Sequence, residues 1–400
     1  MSITKGAMSA TLYRVGALFD EQGTPSVDRP SNDFVLERLS TCAFRDRQLQ
    51  DTQPNWGFCG ARDVLDTEFS DINEVIYDRY VLFALRQDRK RLSAPMFKAR
   101  LQRRVKAWCQ ENGRARCPSS VRGDLEERLT LDMLGAASTD TKTWQALWHL
   151  DEGWVLFDNN AQGNNERFVK LFVEAFGLTL RRVIPLDLPE DDSLRGRALL
   201  TGGMDYRPGQ PLSEQDTEGA EAMEISAVED SPVMPHLAGE FLLWLWYRTE
   251  LSGAQLTVPG LDGPIDLWGE KRVVIRPPDS GGSSTTVVGE NPCAAPECLR
   301  AMEGGKLPAE MRLCIRRDDR EFAVTLGSPD LQPRSVSLPQ VISGSDEEAL
   351  YDRMFLYEEL RDVLAALFGW FLSLRVERDW ASGDGAAIQR WLASGGEIEE

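Results

Sequence analysis

Between Arg86 and Arg122 the chain sets twelve basic side chains against two acidic ones. The cations are Arg86, Arg89, Lys90, Arg91, Lys98, Arg100, Arg103, Arg104, Lys106, Arg114, Arg116 and Arg122, and the acids are Asp88 and Glu111. This 37-residue stretch carries +10 in a chain of −19, so the other 363 residues carry −29. Nine of the twelve are arginines, whose planar fork donates two hydrogen bonds at once to a phosphate or a carboxylate. The chemistry on offer is recognition of an anion. Net acidity taken alone argues against nucleic acid and against anionic membranes, but a total does not say how charge is distributed.

A helix must hold most of these cations. Ser93 is placed to cap it, Pro95 falls in its first turn, and Gly113 lies just past an end near Gln110. Within it Phe97, Leu101, Val105 and Trp108 recur at spacings of four, four and three, which defines one apolar stripe. Lys98, Arg100, Arg103, Arg104 and Lys106 surround that stripe. Arg100 and Arg104 are like charges one turn apart, costing a few tenths of a kcal/mol, with Arg103 adding to the crowding. Acidic neighbours elsewhere in the fold would relieve that repulsion, leaving only a solvated basic face. An external polyanion would relieve it too. A basic amphipathic helix also suits a membrane surface, although this stripe is narrow and expected to be buried.

Other chemistries find little support. The only histidines, His149 and His236, stand far apart in sequence, which disfavours a Ser-His-Asp or Cys-His site. His149 lies in an apolar run and reads as a core histidine. Seven cysteines at 42, 59, 109, 117, 293, 298 and 314 form no disulfide framework and read as reduced, mostly buried thiols. Cys293 and Cys298 lack a second ligand pair at zinc spacing, and no metal or cofactor is expected. No phosphate-binding glycine loop is present; Gly281-Gly282-Ser-Ser lacks the lysine and the following helix. A metal-dependent nuclease would need carboxylates converging in space, and Asp158 and Asp187 are candidates that nothing singles out. Phe241, Trp244, Trp246 and Tyr247 read as core rather than as a base-stacking platform.

At 400 residues, 42% hydrophobic and 27% charged, the chain suits two or three globular domains. Strands are expected at 12–19, 80–85, 178–188 and 272–275. Hairpins are expected at 146–158, across Asp151-Glu152-Gly153, and at 312–326, across Asp318-Asp319. Helices are expected at 32–40, 93–110, 123–134, 165–176, 239–249 and, as one or two pieces, 345–375, with a Gly/Ser-rich loop at 280–290. Helices and strands mix without a βαβ rhythm, which indicates α+β with antiparallel sheets. The division expected is an N-terminal region at 1–190 holding the basic helix, an acidic linker at 191–238 and a C-terminal region at 239–400. The longest apolar stretches, 241–247 and 363–376, fall short of the ~20 residues a membrane span requires. With no secretory pattern at the N-terminus, a cytoplasmic protein is expected.

Arg86-Gln-Asp-Arg-Lys-Arg-Leu-Ser-Ala-Pro-Met-Phe-Lys98 resembles the matching stretch of the RdgC family of bacterial recombination-associated proteins, with Arg, Lys90, Leu92, Pro95 and Lys98 following an apolar strand and opening a basic helix. Asn55-Trp56-Gly57-Phe58 is similar to the family's Gly-aromatic element. Trp148-x-Leu-Asp, Val155–Asp158, the helix ending at Gly177 and Val183-Ile-Pro-Leu186 follow in the family's order. Val324–Leu338 and Tyr351–Leu372 resemble its closing hairpin and helix, whereas residues 190–310 do not match. The resemblance implies an elongated, acidic, multi-domain protomer. Two protomers would form a ring whose basic hole encloses duplex DNA without sequence preference, restraining RecA-mediated strand exchange in the nucleoid. It implies Arg86, Lys90 and Lys98 as DNA-binding positions. Arg89, Arg91, Arg100, Arg103, Arg104, Lys106, Arg114 and Arg116 join them on charge alone. One departure concerns closure of the ring: Met133-Leu-Gly-Ala-Ala-Ser138 stands where the family often has Leu-Leu-Pro-Arg-Ala-Phe. Two alternatives stand beside this reading, a carboxylate-metal nuclease (the family also carries an exonuclease label) and a module whose basic helix meets an acidic protein.

Overall fold

The computed structural model describes residues 2–16, 18–19, 25–26, 29–46, 53–183, 233–277, 282–328, 330–340, 342–377, 379–380 and 382–397. They form two compact units, one of Val15–Phe157 and Gln162–Leu180, the other of Met1–Arg14, Asp158–Ala161 and Arg181–Glu400. Both are α+β with antiparallel sheets, as the mixed element pattern requires.

The chain enters the first unit along β1 (Thr11–Val15) and forms a small ladder of β2 (Leu18–Phe19) with β3 (Pro25–Ser26). Helix α1 (Asn32–Thr41) follows, capped by the Ser31 hydroxyl accepting from the Phe34 N–H. The sheet is built from β4 (Asn55–Gly60), β6 (Tyr80–Lys90), β7 (Thr139–His149) and β8 (Trp154–Phe157), in that order, with β5 (Ile76–Tyr77) also on β6 after a short α2 (Ile72–Val75). Residues 80–85 of β6 are all buried, so both faces of the strand are covered there, as its unbroken apolar run demands. β6 then continues five residues beyond the predicted end. Thr139, Thr141 and Thr143 of β7 lie opposite Lys90, Asp88 and Arg86, and β-branched residues suit a pleated ladder. The basic block therefore begins on a strand.

Between these two strands the chain makes a helical hairpin, α3 (Ala94–Glu111) and α4 (Ser119–Ala136), packed on one another. Ser93 occupies the α3 cap position, although its hydroxyl caps no N–H, and Gly113 supplies the left-handed turn (φ 60°) beyond the helix. α4 starts at Ser119, four residues before the predicted Gly123. A Cβ at Gly123 would meet no neighbouring atom, so the glycine answers no packing need. α5 (Gln162–Phe176) covers the sheet with Phe168, Phe172 and Phe176, and the unit ends at β9 (Leu180–Arg182). The Phe168 ring lies 4.2 Å from Phe157 and 6.2 Å from Phe83, and Phe172 meets Trp148 at 5.3 Å.

The second unit centres on a sheet ordered β10 (Gln255–Leu256), β11 (Ile265–Arg276), β13 (Leu307–Arg317), β14 (Arg320–Gly327) and β15 (Arg334–Ser337). β12 (Thr285–Gly289) also pairs with β11, so part of the expected 280–290 loop is a strand; Val287 lies opposite Val273. The helices are α6 (Val233–Leu251), α7 (Pro296–Glu303), α8 (Asp346–Arg375) and α9 (Asp384–Ala393). α6 begins six residues before the expected Gly239, and α8 is a single helix capped by Ser345. The aromatic segment of α6 is core: Phe241 meets Phe368 at 5.1 Å, Trp244 meets Trp370 at 5.0 Å and Trp246 meets Trp391 at 6.4 Å. Residues 191–232 of the expected linker and residues 184–188 of the expected strand lie outside the described residues.

Gly57 shows why a glycine stands in the Gly-aromatic element. The segment after α1 crosses directly over β4, with Phe44 N–H donating to Phe58 O at 2.7 Å and Phe58 N–H to Cys42 O at 2.9 Å. A Cβ on Gly57 would sit 2.3 Å from Phe44 Cα and 2.5 Å from its nitrogen, both backbone atoms that cannot rotate away. Gly57→Ala is expected to lower the stability of the chain by about 3 kcal/mol through overpacking, read as an earlier urea midpoint. An unchanged midpoint would show that the crossing segment shifts freely.

Candidate nucleic-acid interface

The strand end of the basic block is committed to the fold at two positions. Side chains alternate along β6, so Arg86, Asp88 and Lys90 share one face and Gln87 and Arg89 the other. The Asp88 carboxylate accepts two hydrogen bonds from Arg86, from Nε at 2.9 Å and Nη2 at 2.7 Å. Arg86 Nη1 donates to Val64 O at 3.0 Å, and its guanidinium lies 4.0 Å from the Phe44 ring centroid. The Asp88 hydrogen bonds raise the Arg86 pKa above its ordinary value, outweighing a lowering by burial. Only 12% of this side chain is exposed, so no nitrogen is left for a phosphate. Lys90 is likewise taken, its Nζ donating to Leu134 O at 2.8 Å near the C-terminal end of α4, where a cation meets the negative pole of the helix dipole. Two of the three positions implied by the family resemblance therefore hold structure together rather than face an anion.

The remaining cations are placed differently. Lys98, Arg100, Arg103 and Lys106 are exposed on α3, and Arg114 and Arg116 are exposed in the turn after it. With exposed Arg89 on β6, their side chains make no hydrogen bond or ion pair with a described residue. Arg91 pairs with Asp140 at 2.9 Å, Arg104 with Asp132 at 2.6 Å and Arg122 with Glu126 at 3.1 Å, all partly exposed. Leu101 of the apolar stripe is buried, as are Leu129 and Leu134 of α4. Phe97, Val105 and Trp108 are half-buried. Burying this stripe turns Arg100, Arg103 and Arg104, at i, i+3 and i+4, onto a neighbouring face. Together with Ala107 they line a groove whose other side is Leu129 and Asp132.

Lys142 is a further cation, one that the basic block does not contain. It is exposed on β7 opposite Gln87, on the strand face that carries Arg89. Only the register reveals it, because Lys142 lies 20 residues beyond the block in sequence. On that same face Trp56 and Trp144 stack at 5.8 Å, with the Arg167 guanidinium 5.6 Å from Trp56.

Most of the residues considered for other chemistry are placed in the core. His149 is buried, accepts the Glu152 N–H at Nδ1 (3.0 Å) and packs against Tyr80 and Trp154. All seven cysteines are free, and five are buried. Burial pushes the Cys59, Cys293 and Cys314 thiols up to about 12, which makes them inert. Asp158 is buried and accepts the Ser9 N–H at 3.3 Å; desolvation raises its pKa to about 6. Asp187 lies outside the described residues. Among the described residues no group of three or more His, Cys, Asp or Glu is placed to hold a metal, and no helix is long and apolar enough to cross a membrane.

Asp88→Ala is expected to destabilise the chain by about 3 kcal/mol, because it leaves the Arg86 charge buried without its partner. The same substitution should leave the exposed helix cations where they are. Denaturant unfolding tests it: a loss below about 1 kcal/mol would mean that Arg86 relaxes to solvent.

Residues 25–192 match the family model described as "Putative exonuclease, RdgC". That span runs from β3 past β9 and takes in the basic strand, the α3–α4 hairpin and α5. No curated relative matches the chain. The apolar strand, the basic helix and the Gly57 crossing all lie inside the matched span, so residues 25–192 form a region similar to the RdgC family.

Proposed function

We propose that the chain binds double-stranded DNA through its phosphates, without reading base sequence, as a non-catalytic clamp that modulates RecA-type homologous recombination. The RdgC match supports a recombination-associated, DNA-related protein. The observation that carries the finer reading is the state of α3: residues 94–110 contain no acid, and Lys98, Arg100, Arg103 and Lys106 stand exposed and unpaired among the described residues. From Lys98 to Lys106 the helix rises about 12 Å, against one phosphate per about 3.4 Å of axis along one DNA strand. The face therefore engages roughly three phosphates, and Arg89, Arg114, Arg116 and Lys142 extend it. Arg91 and Arg104 join when they exchange a carboxylate for a phosphate. Arg86 and Lys90 hold the frame. Contacts of this kind fix position and carry no sequence information. A homodimer in the nucleoid is part of the same reading, by way of the family resemblance.

Fluorescence anisotropy with a mixed-sequence duplex of about 30 base pairs, without metal and at several salt concentrations, tests this. Binding should weaken log-linearly with salt and be indifferent to sequence. Replacing Arg100, Arg103 and Arg104 together by Glu should lower affinity at least ~100-fold and leave the circular dichroism spectrum unchanged. The salt dependence should flatten by about one unit for each phosphate no longer neutralised. A folded triple variant that binds like wild type would reduce the block to a solvated surface. No binding by wild type at low salt would leave the basic face to an acidic protein partner. The family description names an exonuclease, so the same duplex is carried through with Mg²⁺ and Mn²⁺; metal-dependent loss of label, abolished by EDTA, would assign that activity instead.

A further inference from the structure

One counter-ion on the proposed DNA face stands apart. Of the basic side chains on α3, Arg104 alone pairs with a described carboxylate, that of Asp132 on α4, at 2.6 Å. The two lie across the groove lined by Arg100, Arg103, Arg104, Ala107, Leu129 and Asp132, which offers about 320 Å³. The groove is open to solvent and roomy enough to admit water-sized groups, so a phosphate oxygen can reach its arginines. Asp132 is 63% exposed, and an ion pair this open contributes little to folding. It also sits close to the C-terminal end of α4, where the helix dipole disfavours negative charge. Neither fold stability nor helix electrostatics accounts for a carboxylate here. Its oxygen does occupy a place on the Arg104 fork that a DNA phosphate oxygen would need.

We infer that Asp132 is a built-in competitor for DNA: it holds Arg104 in the groove and yields it only to a phosphate, thereby weakening and tuning the affinity of the face. This inference rests on the reading of the α3 face as the DNA-binding surface. Binding must first break the Arg104–Asp132 pair and then tolerate the displaced carboxylate beside the DNA, so Arg104 delivers less than a full phosphate contact. An affinity held down in this way lets a clamp exchange along DNA rather than lock onto it.

The test is a double-mutant cycle in the full chain, using the same 30-base-pair duplex across a salt series. Asp132→Asn should bind about fivefold more tightly at low salt, with a salt dependence steeper by about one phosphate. Asp132→Glu, which keeps the charge, should stay near wild type. Arg104→Gln should weaken binding and flatten the salt dependence by about one. In the Arg104→Gln background, Asp132→Asn should then gain less than about twofold, because its target is gone. Equal gains in both backgrounds would show that Asp132 acts only through bulk charge, and an Asp132→Asn variant that binds like wild type would overturn the inference outright. Wild type is measured alongside: if it binds no duplex, the reading of the face fails, whereas wild-type binding with an unresponsive Asp132 defeats only the competitor.

Discussion

The Arg86–Asp88 pair is the constraint on which the first unit depends. It lies where β6 changes from an apolar core strand into the lead-in of the basic block. Its guanidinium is held from three sides, by the Asp88 carboxylate, the Val64 carbonyl and the Phe44 ring. Each partner comes from a different part of the chain, so one side chain ties the segment after α1 and the segment before α2 to the central strand. Gly57 makes this arrangement possible. It lies opposite Arg86 in the β4–β6 register, and its missing Cβ lets the Phe44 backbone pass close enough to cover the guanidinium. A buried charge adds little net stability but is very unfavourable when left unpaired. The pair therefore fixes which arrangement forms more than it deepens the minimum.

From that anchor the chain sorts its cations into two populations by geometry. Arg86 and Lys90 alternate onto the face that is closed off by other backbone, Arg86 by Val64 O and Lys90 by Leu134 O. Arg89, lying between them in sequence, points the other way and stays exposed. Lys90 reaches a carbonyl near the end of α4, so the root of the helical hairpin is pinned where α4 meets the end of β6. Pinning matters for a phosphate-binding surface, since flexible lysines and arginines lose rotamer entropy when they bind. A fixed helix that already displays them avoids the further entropy of ordering backbone.

The arrangement was partly legible in the sequence. The basic helix, its apolar stripe, its Gly113 terminus, the Trp154 hairpin and the core role of Phe241 and Trp244 all follow from local periodicity and turn chemistry, and all are found. The commitments of Arg86 and Lys90 were not legible, because Val64, Phe44 and Leu134 are distant in sequence and no local rule joins them. Lys142 was hidden for the same reason, as only strand register brings it beside Gln87. β12 reads as loop because Gly281, Gly282, Ser283 and Ser284 dominate that stretch, although Thr285–Val288 is β-branched throughout and finds a partner in β11.

The net charge of −19 and the proposed DNA-binding face are compatible because they act at different ranges. At physiological ionic strength charges are screened beyond about 8 Å, so a phosphate at α3 feels Lys98, Arg100, Arg103 and Lys106 far more than acids spread over the rest of the chain. Those acids act instead on the approach. On the proposed reading they would repel DNA from acidic surfaces, favouring orientations that present the basic hairpin. On this account the acidic bulk is not an obstacle that the basic helix overcomes. It would supply the directionality that the proposed phosphate-binding surface, blind to sequence, cannot obtain from base contacts.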